Sequence, residues 1–562
     1  MSYKLFKFRY FLFLLLGLSA VTAQSLARNS FNCGNNCFSS DDCSNSCNNS
    51  CDNSCNDCST SCSRDSFSCS SGCSISLNSC SSDDCSQDCA SEECRSCDPR
   101  TTFIPRTLAY DSTLELSLAQ YFIYHNDAAC RPSWYFFATP FFMQSRRGED
   151  FARYFLPNGQ SSLVIAEDGT GDVNSLHFGI VAPQGQSFRS TVRLHPRRRT
   201  YGAYLNFWAD LSSCTCEGLW GSLSLVPVGV EHRLCIEECV ERDTLNNDVS
   251  GTISGFSNFT DAINNNPSHF GSLFTGRIRR AGVDDVQVKL GHDFYMTECS
   301  RLSGYIVAGI PTGRNITGRY LFEPVVGFRH HASLGFGLNG EYLMYQYCDH
   351  TLTLLADFKY RYVFAADERR SFDFCCNGPL SRFMLTTTAG ENCAGQSAIN
   401  LFSPCVRVEP RSTINFWTAL HWEWCRFNAE FGYELWFRDC ERIFLKNTCG
   451  QSKNVGLFNL AGTCRGSASA SQAQISQGVN GSNGLVGDRV FTAVSNSDLL
   501  LASGANSRVI THKLYGALGY NFCLCDSPAL LGVGGSYEFA RHERGRGALE
   551  QWSVFAKLGL GY

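Results

Sequence analysis

The stretch TLTLLADFKYRYVF, residues 351–364, alternates in chemistry at nearly every step. Leu352, Leu354, Ala356, Phe358, Tyr360, Tyr362 and Phe364 share one face; Thr351, Thr353, Asp357, Lys359 and Arg361 share the other. Side chains of a β-strand point alternately to its two sides, so a period of two marks a strand with one apolar face. The pattern recurs along the chain. In DDVQVKLGHDFYMT, Val286, Val288, Leu290, Phe294 and Met296 oppose Gln287, Lys289, Asp293 and Thr297. RSTINFWTALHWEWC sets Ile414, Phe416, Leu420, Trp422 and Trp424 against Asn415, His421 and Glu423. NAEFGYELWFR sets Ala429, Phe431, Tyr433, Leu435 and Phe437 against Asn428, Glu430, Glu434 and Arg438, and TYGAYLNFWAD behaves likewise. No sustained 3.6-residue period competes with it. The body is all-β.

Strands of this kind build either a soluble sandwich or a transmembrane barrel. Their length, ~11–17 residues against the ~5–6 usual in soluble sheets, favours the barrel. Aromatics, 13% of the chain, gather near strand ends, as in an interfacial girdle. Small residues on the polar faces (Gly335, Gly337, Gly532, Gly534) suit a lumen wall. We therefore expect a transmembrane antiparallel β-barrel of about 14–16 strands, an even number. Segments are expected to start near 114, 133, 175, 188, 200, 218, 284, 301, 320, 332, 350, 411, 428, 508, 529 and 550. Long connections near 234–283, 366–410 and 446–507 read as surface loops or loops folded into the pore.

The N-terminus reads as an export signal over residues 1–23. Lys4, Lys7 and Arg9 precede the apolar run from Tyr10 to Leu18, and Val21-Thr22-Ala23 offers a cleavage site. Beyond it no apolar run of 18 or more residues indicates a membrane helix. At the other end, in WSVFAKLGLGY, Val554, Ala556, Leu558, Leu560 and Tyr562 alternate with Phe555, Lys557, Gly559 and Gly561, and the chain stops on an aromatic. This ending resembles the terminal strand of bacterial outer-membrane barrels, and the chain from residue 101 to 562 resembles porins of the major-outer-membrane-protein type. The resemblance implies that Leu558, Leu560 and Tyr562 are read by the barrel-assembly machinery. It also implies an outer membrane with lipopolysaccharide around the barrel, and passive diffusion of small hydrophilic solutes.

In a barrel, the charged residues opposite the apolar stripes line the pore. Those residues are Lys289, Asp357, Lys359, Arg361, Glu430, Glu434 and Arg438; their near-neutral sum points to a mixed-charge channel in which each meets water. The histidine groupings His330-His331, His292-Asp293 and His421-Trp422-Glu423 accompany no recognisable nucleophile or metal motif, so no catalytic residue, metal site or cofactor is expected. The formal charge of −5 gives no sign of nucleic-acid binding. The run HPRRRTYG reads as a solvated turn between two strands, or a site for lipopolysaccharide phosphates.

Residues 24–100 are a separate zone. From 33 to 97 there are 15 cysteines, and ten acidic residues against two arginines leave a local charge of −8. Exported cysteines enter an oxidising space where disulfides persist. Steps of 3, 4 and 7 place Cys43, Cys47, Cys51, Cys55, Cys58, Cys62, Cys69 and Cys73 so that subsets share a helical face. A cysteine-faced helix or coiled coil that cross-links chains into homo-oligomers is one reading. A disulfide knot or a disordered cross-linkable tail is the other, and metal binding is a third. With an even strand count both barrel ends lie on the periplasmic side, and this zone would hang there. The competing function is a structural or adhesive surface barrel with no open channel.

Overall fold

The computed structural model describes residues 99–125, 132–146, 148–180, 188–212, 217–242, 256–265, 276–389, 395–446, 454–458, 475–476, 491, 493–540 and 548–562. The expected signal peptide and all eight cysteines named above lie outside them.

Twelve strands close into an antiparallel barrel: β1 (Trp134–Ser145), β2 (Arg189–Asp210), β3 (Leu219–Leu225), β4 (Val286–Met296), β5 (Ser300–Ile310), β6 (Ser333–Tyr347), β7 (His350–Val363), β8 (Arg411–Trp424), β9 (Phe427–Arg438), β10 (Val509–Leu524), β11 (Ser527–Phe539) and β12 (Gln551–Gly561). Each pairs with the next in sequence, and β1 pairs with both β2 and β12, which closes the ring. The count corrects the expected 14–16. The segment near 114 is helical, the one near 175 is a 3-10 turn, and the one near 320 is irregular. The segments near 188 and 200 are one strand, β2. HPRRRTYG is therefore not a turn. Pro196 falls between the part of β2 paired with Ser162–Ala166 and the part paired with β1, where one edge of the strand has no partner. A residue without an N–H is tolerated there.

The alternation resolves as an apolar exterior and a polar interior. Outward-facing Ile306, Phe431 and Leu518 are 60%, 62% and 64% exposed, and Leu334, Phe336, Leu338, Val533 and Val554 continue the band. No soluble surface comfortably leaves so much contiguous apolar area in water. Tyr295, Tyr342, Tyr347, Trp422, Trp424, Phe427, Tyr520 and Tyr562 are exposed near one end of the barrel, at the depth an aromatic girdle takes.

That end carries the tight connections, 297–299, 348–349, 425–426 and 525–526, together with both the start of β1 and the C-terminus. Tyr562 N–H donates to the Trp134 carbonyl at 2.8 Å. The opposite end carries the long connections, and their described residues fold together as a cap. The hairpin of Pro227–Arg242 and Arg277–Val283 extends β3 and β4 beyond the ring. A small sheet joins Ala366–Arg369, Cys405–Glu409 and Arg442–Leu445. Phe103, Phe151, Phe322, Phe374, Val406 and Leu457 belong to one buried cluster within the cap. Arg329 and Arg370 are buried against Glu368 and Glu441, so the cap is also held by ion pairs.

A lumen filled by the chain's own N-terminal segment

The seven residues expected to line a pore all lie on inward faces of the barrel. They do not meet water. Lys289, Asp357, Lys359, Arg361, Glu430, Glu434 and Arg438 are each 5% exposed or less. Most of them are covered by residues 104–125, which run down the lumen beside them.

This segment contains two short helices, α1 (Ser112–Leu116) and α2 (Ala119–Tyr124). Helices this short are not stable alone, because nucleation cost dominates below ~12 residues. The wall supplies what they lack. Asp111 caps α1 by accepting from Leu114 N–H at 3.2 Å. Glu434, from β9, accepts from the N–H groups of Ser112 and Thr113 at 3.0 and 3.3 Å. Glu430, two inward positions nearer the tight turns, accepts from Leu118 N–H at 3.0 Å, just before α2. At the other end of α1, Lys557 donates to the carbonyls of Leu114 and Glu115 at 2.9 and 3.0 Å. Acids at helix starts and a cation at a helix end match the helix dipole and its unpaired groups.

Side chains complete the fit. Glu115 is bonded to both Lys289 and Lys359, the latter at 2.8 Å. Arg106 reaches Glu434 and Asp111 at 2.9 Å, and Lys513 reaches Asp111 at 2.6 Å. Arg361 stacks over the Tyr110 ring, 3.8 Å from its centroid, and Tyr110 bonds Ser333 at 2.7 Å. Asn415 donates to the Tyr110 carbonyl, and Arg438 to the Ile104 carbonyl, both at 2.7 Å. Tyr121 is stacked on His421 with centroids 4.0 Å apart and donates to Glu423 at 2.8 Å. These are charged groups, desolvated and paired.

Leu118 sits against two glycines that face each other across β10 and β11. A Cβ on Gly532 would lie 2.5 Å from Leu118 Cδ1, and one on Gly519 3.2 Å from it. Any side chain at 532 would push the Leu118 methyl out of this notch. STLELSLA alternates like a strand, which hides this segment's role in the sequence. Against that alternation, Asp111-Ser112-Thr113 followed by Leu114 and Glu115 is a helix-start pattern.

Leu558, Leu560 and Tyr562 face outward on or just after β12 and are 50%, 41% and 60% exposed. His331 is buried in the cap region, bonded to Glu368 and the Phe364 carbonyl at 2.7 Å. His421 bridges Glu430 and Asn428 inside the barrel. In the basic run, Arg198 is buried and Arg197 exposed. Among the described residues no group of histidine, cysteine and acidic side chains could hold a metal.

No protein-family model matches this sequence, and no curated protein matches it significantly. Solved structures of similar outline include the COG4313 outer membrane channel from Pseudomonas putida F1, 10% identical, covering 78% of this chain and 98% of that one with a TM-score of 0.31. A Pseudomonas aeruginosa FadL homologue is 8% identical over 82% of this chain and 99% of its own, TM-score 0.27. The Pseudomonas putida toluene transporter TodX is 8% identical over 83% and 96%, TM-score 0.25. At these scores nothing is transferred from them. The barrel stands on its own strand pairing.

Proposed function

We propose that this chain is an outer-membrane barrel, porin-like in its polar wall, whose channel for small hydrophilic solutes is shut by its own residues 104–125. The observation that carries the reading is the chemistry of the interface between wall and segment. A barrel built only as a scaffold can fill its interior with apolar side chains. Here the wall keeps Lys289, Lys359, Glu430, Glu434, Lys513 and Lys557 directed inward, each satisfied by a separate piece of chain. Withdrawing that piece would leave a hydrophilic bore of mixed charge. The exposed apolar band supports a lipid environment, lipopolysaccharide included, and the outward Leu558, Leu560 and Tyr562 support recognition by the assembly machinery. The cysteine-rich zone is proposed to join copies of the chain by disulfides; if its deletion leaves the reducible high-mass species on non-reducing gels unchanged, that role is wrong.

Planar-bilayer recording tests the channel. The full chain is expected to be silent or nearly so, and a Glu115→Lys variant, which places three cations together, to show discrete conductance steps. Deleting residues 104–125 should give steady opening. If both variants fold, shown by heat-modifiable migration, and neither conducts, the sealed structural or adhesive barrel is the better reading. The complete burial of all seven inward charges is what favours that second reading.

A further inference from the structure

The segment in the lumen has a direction, and the direction can be followed on single strands. β9 runs from the tight-turn end at Phe427 to the loop end at Arg438. Arg438 meets Ile104, Glu434 meets Arg106, Ser112 and Thr113, and Glu430 meets Leu118. β8 agrees: Asn415, nearer the loop end, meets Tyr110, while Glu423, by the turn, meets Tyr121. Residue numbers in the segment therefore rise from the loop end toward the turn end. Its lower end is fixed by Tyr135, the second residue of β1, which donates to the Ile123 carbonyl at 3.0 Å. Its upper end is fixed in the cap. Arg382 donates to the Pro99 carbonyl at 3.0 Å, Arg100 N–H donates to Tyr154 at 3.2 Å, and Thr101 bonds Ser371 at 2.7 Å.

We infer that the chain enters its own barrel from the long-loop end, so that the cysteine-rich arm preceding Pro99 is presented on the face opposite the tight turns and the C-terminus. The inference rests on the membrane reading above. Outer-membrane barrels keep short turns in the periplasm and long loops outside, so that face is the cell surface. This reverses the sidedness expected from the even strand count, which locates only the start of β1. Pro99 is bonded within the cap, so the arm joins the described chain at that end. A return to the periplasm has two routes. The lumen is already filled by residues 104–125, and the outside of the barrel is a ~30 Å hydrocarbon layer that an arm of Ser, Asn and Asp does not cross.

The test uses full-length chains in the outer membrane of intact cells, each with one epitope: after residue 30, within 541–547 at the loop end, or within 213–216 at the turn end. The inference expects the first two to bind antibody equally on intact cells and the third only after permeabilisation. An arm epitope hidden until permeabilisation, with the 541–547 epitope exposed, overturns the inference and leaves the membrane reading intact. No difference between the 541–547 and 213–216 epitopes, or absence from the outer-membrane fraction, overturns the membrane reading instead. Trypsin on cells carrying the unmodified protein gives a second measurement, because Arg64 and Arg95 lie in the arm. After reduction, loss of peptide 65–95 from intact cells supports surface presentation, and its full protection overturns it.

Discussion

Glu115 is the residue on which the closed lumen most depends. It is 2% exposed and satisfies lysines from two strands, β4 and β7, with one carboxylate. Removing one partner of a buried pair costs about 3–5 kcal/mol, because the other charge stays desolvated and unpaired. Glu115→Gln should therefore destabilise the seated segment by about that much, with two lysines left facing each other. Proteolysis of the 99–125 region in folded detergent-solubilised protein would report it. Adding Lys289→Met should recover part of the loss, and a strictly additive double variant would mean the pair is not coupled. Gly532 acts through shape instead of charge. Gly532→Val fills the notch that Leu118 occupies, and overpacking of a tight interior costs about 1–3 kcal/mol. The expected outcome is a rise in bilayer conductance with every ionic partner still present. A silent channel with an unchanged protease pattern would show that the notch can yield.

At the scale of elements, the cap that anchors the upper end of the segment is held by buried carboxylates, and this sets how it responds to acid. Burial would raise the Glu441 carboxyl, but Arg370 and Arg329 hold it at about 2, below its ordinary 4.5, and Glu368 shifts in the same direction. A depressed carboxylate contributes its full stability above the ordinary value and loses it as pH falls through the folded one. The cap should thus hold from pH 7 to about 4 and loosen, releasing the upper end of the segment, only in stronger acid. Conductance of the full chain that switched on near pH 5 or 6 would contradict this. The same elements show what was legible in advance. The strands β4 to β12 were readable from alternation, since lipid outside and charge inside impose a period of two on each. α1 was not, because its five residues borrow their stability from Glu434 and Lys557, hundreds of positions away. β2 was divided in two because Pro196 and three arginines look like a break, and only the pairing shows that one edge there is unpartnered. The seven inward charges were legible as inward, but their neighbours were not, since nothing local indicates that a distant stretch fills the bore.

Across the whole molecule, the tight connections share one chemical feature. Cys375 and Cys376, in the cap, are disulfide-bonded, whereas Cys405 in the same cap is an exposed free thiol. At the tight-turn end Cys299, Cys348, Cys425, Cys523 and Cys525 are exposed and free, so all four tight connections have a thiol in the turn itself. Three of them sit where glycine or asparagine is the low-energy choice: φ is 49° at Cys348, 54° at Cys425 and 51° at Cys525. A side chain held in the left-handed region costs on the order of 1 kcal/mol, while glycine gains flexibility in the unfolded chain that offsets part of that relief. Replacing each of the three by glycine should therefore leave the barrel as stable or raise its stability by up to about 1 kcal/mol, read as a higher denaturant midpoint in detergent. The five thiols should also react with maleimide in the folded barrel without loss of heat-modifiable migration, because all five residues are exposed. A clear fall in the midpoint on Cys→Gly substitution, or thiols that react only after unfolding, would show that these turns are bonded or buried in the folded state and that their cysteines are structural.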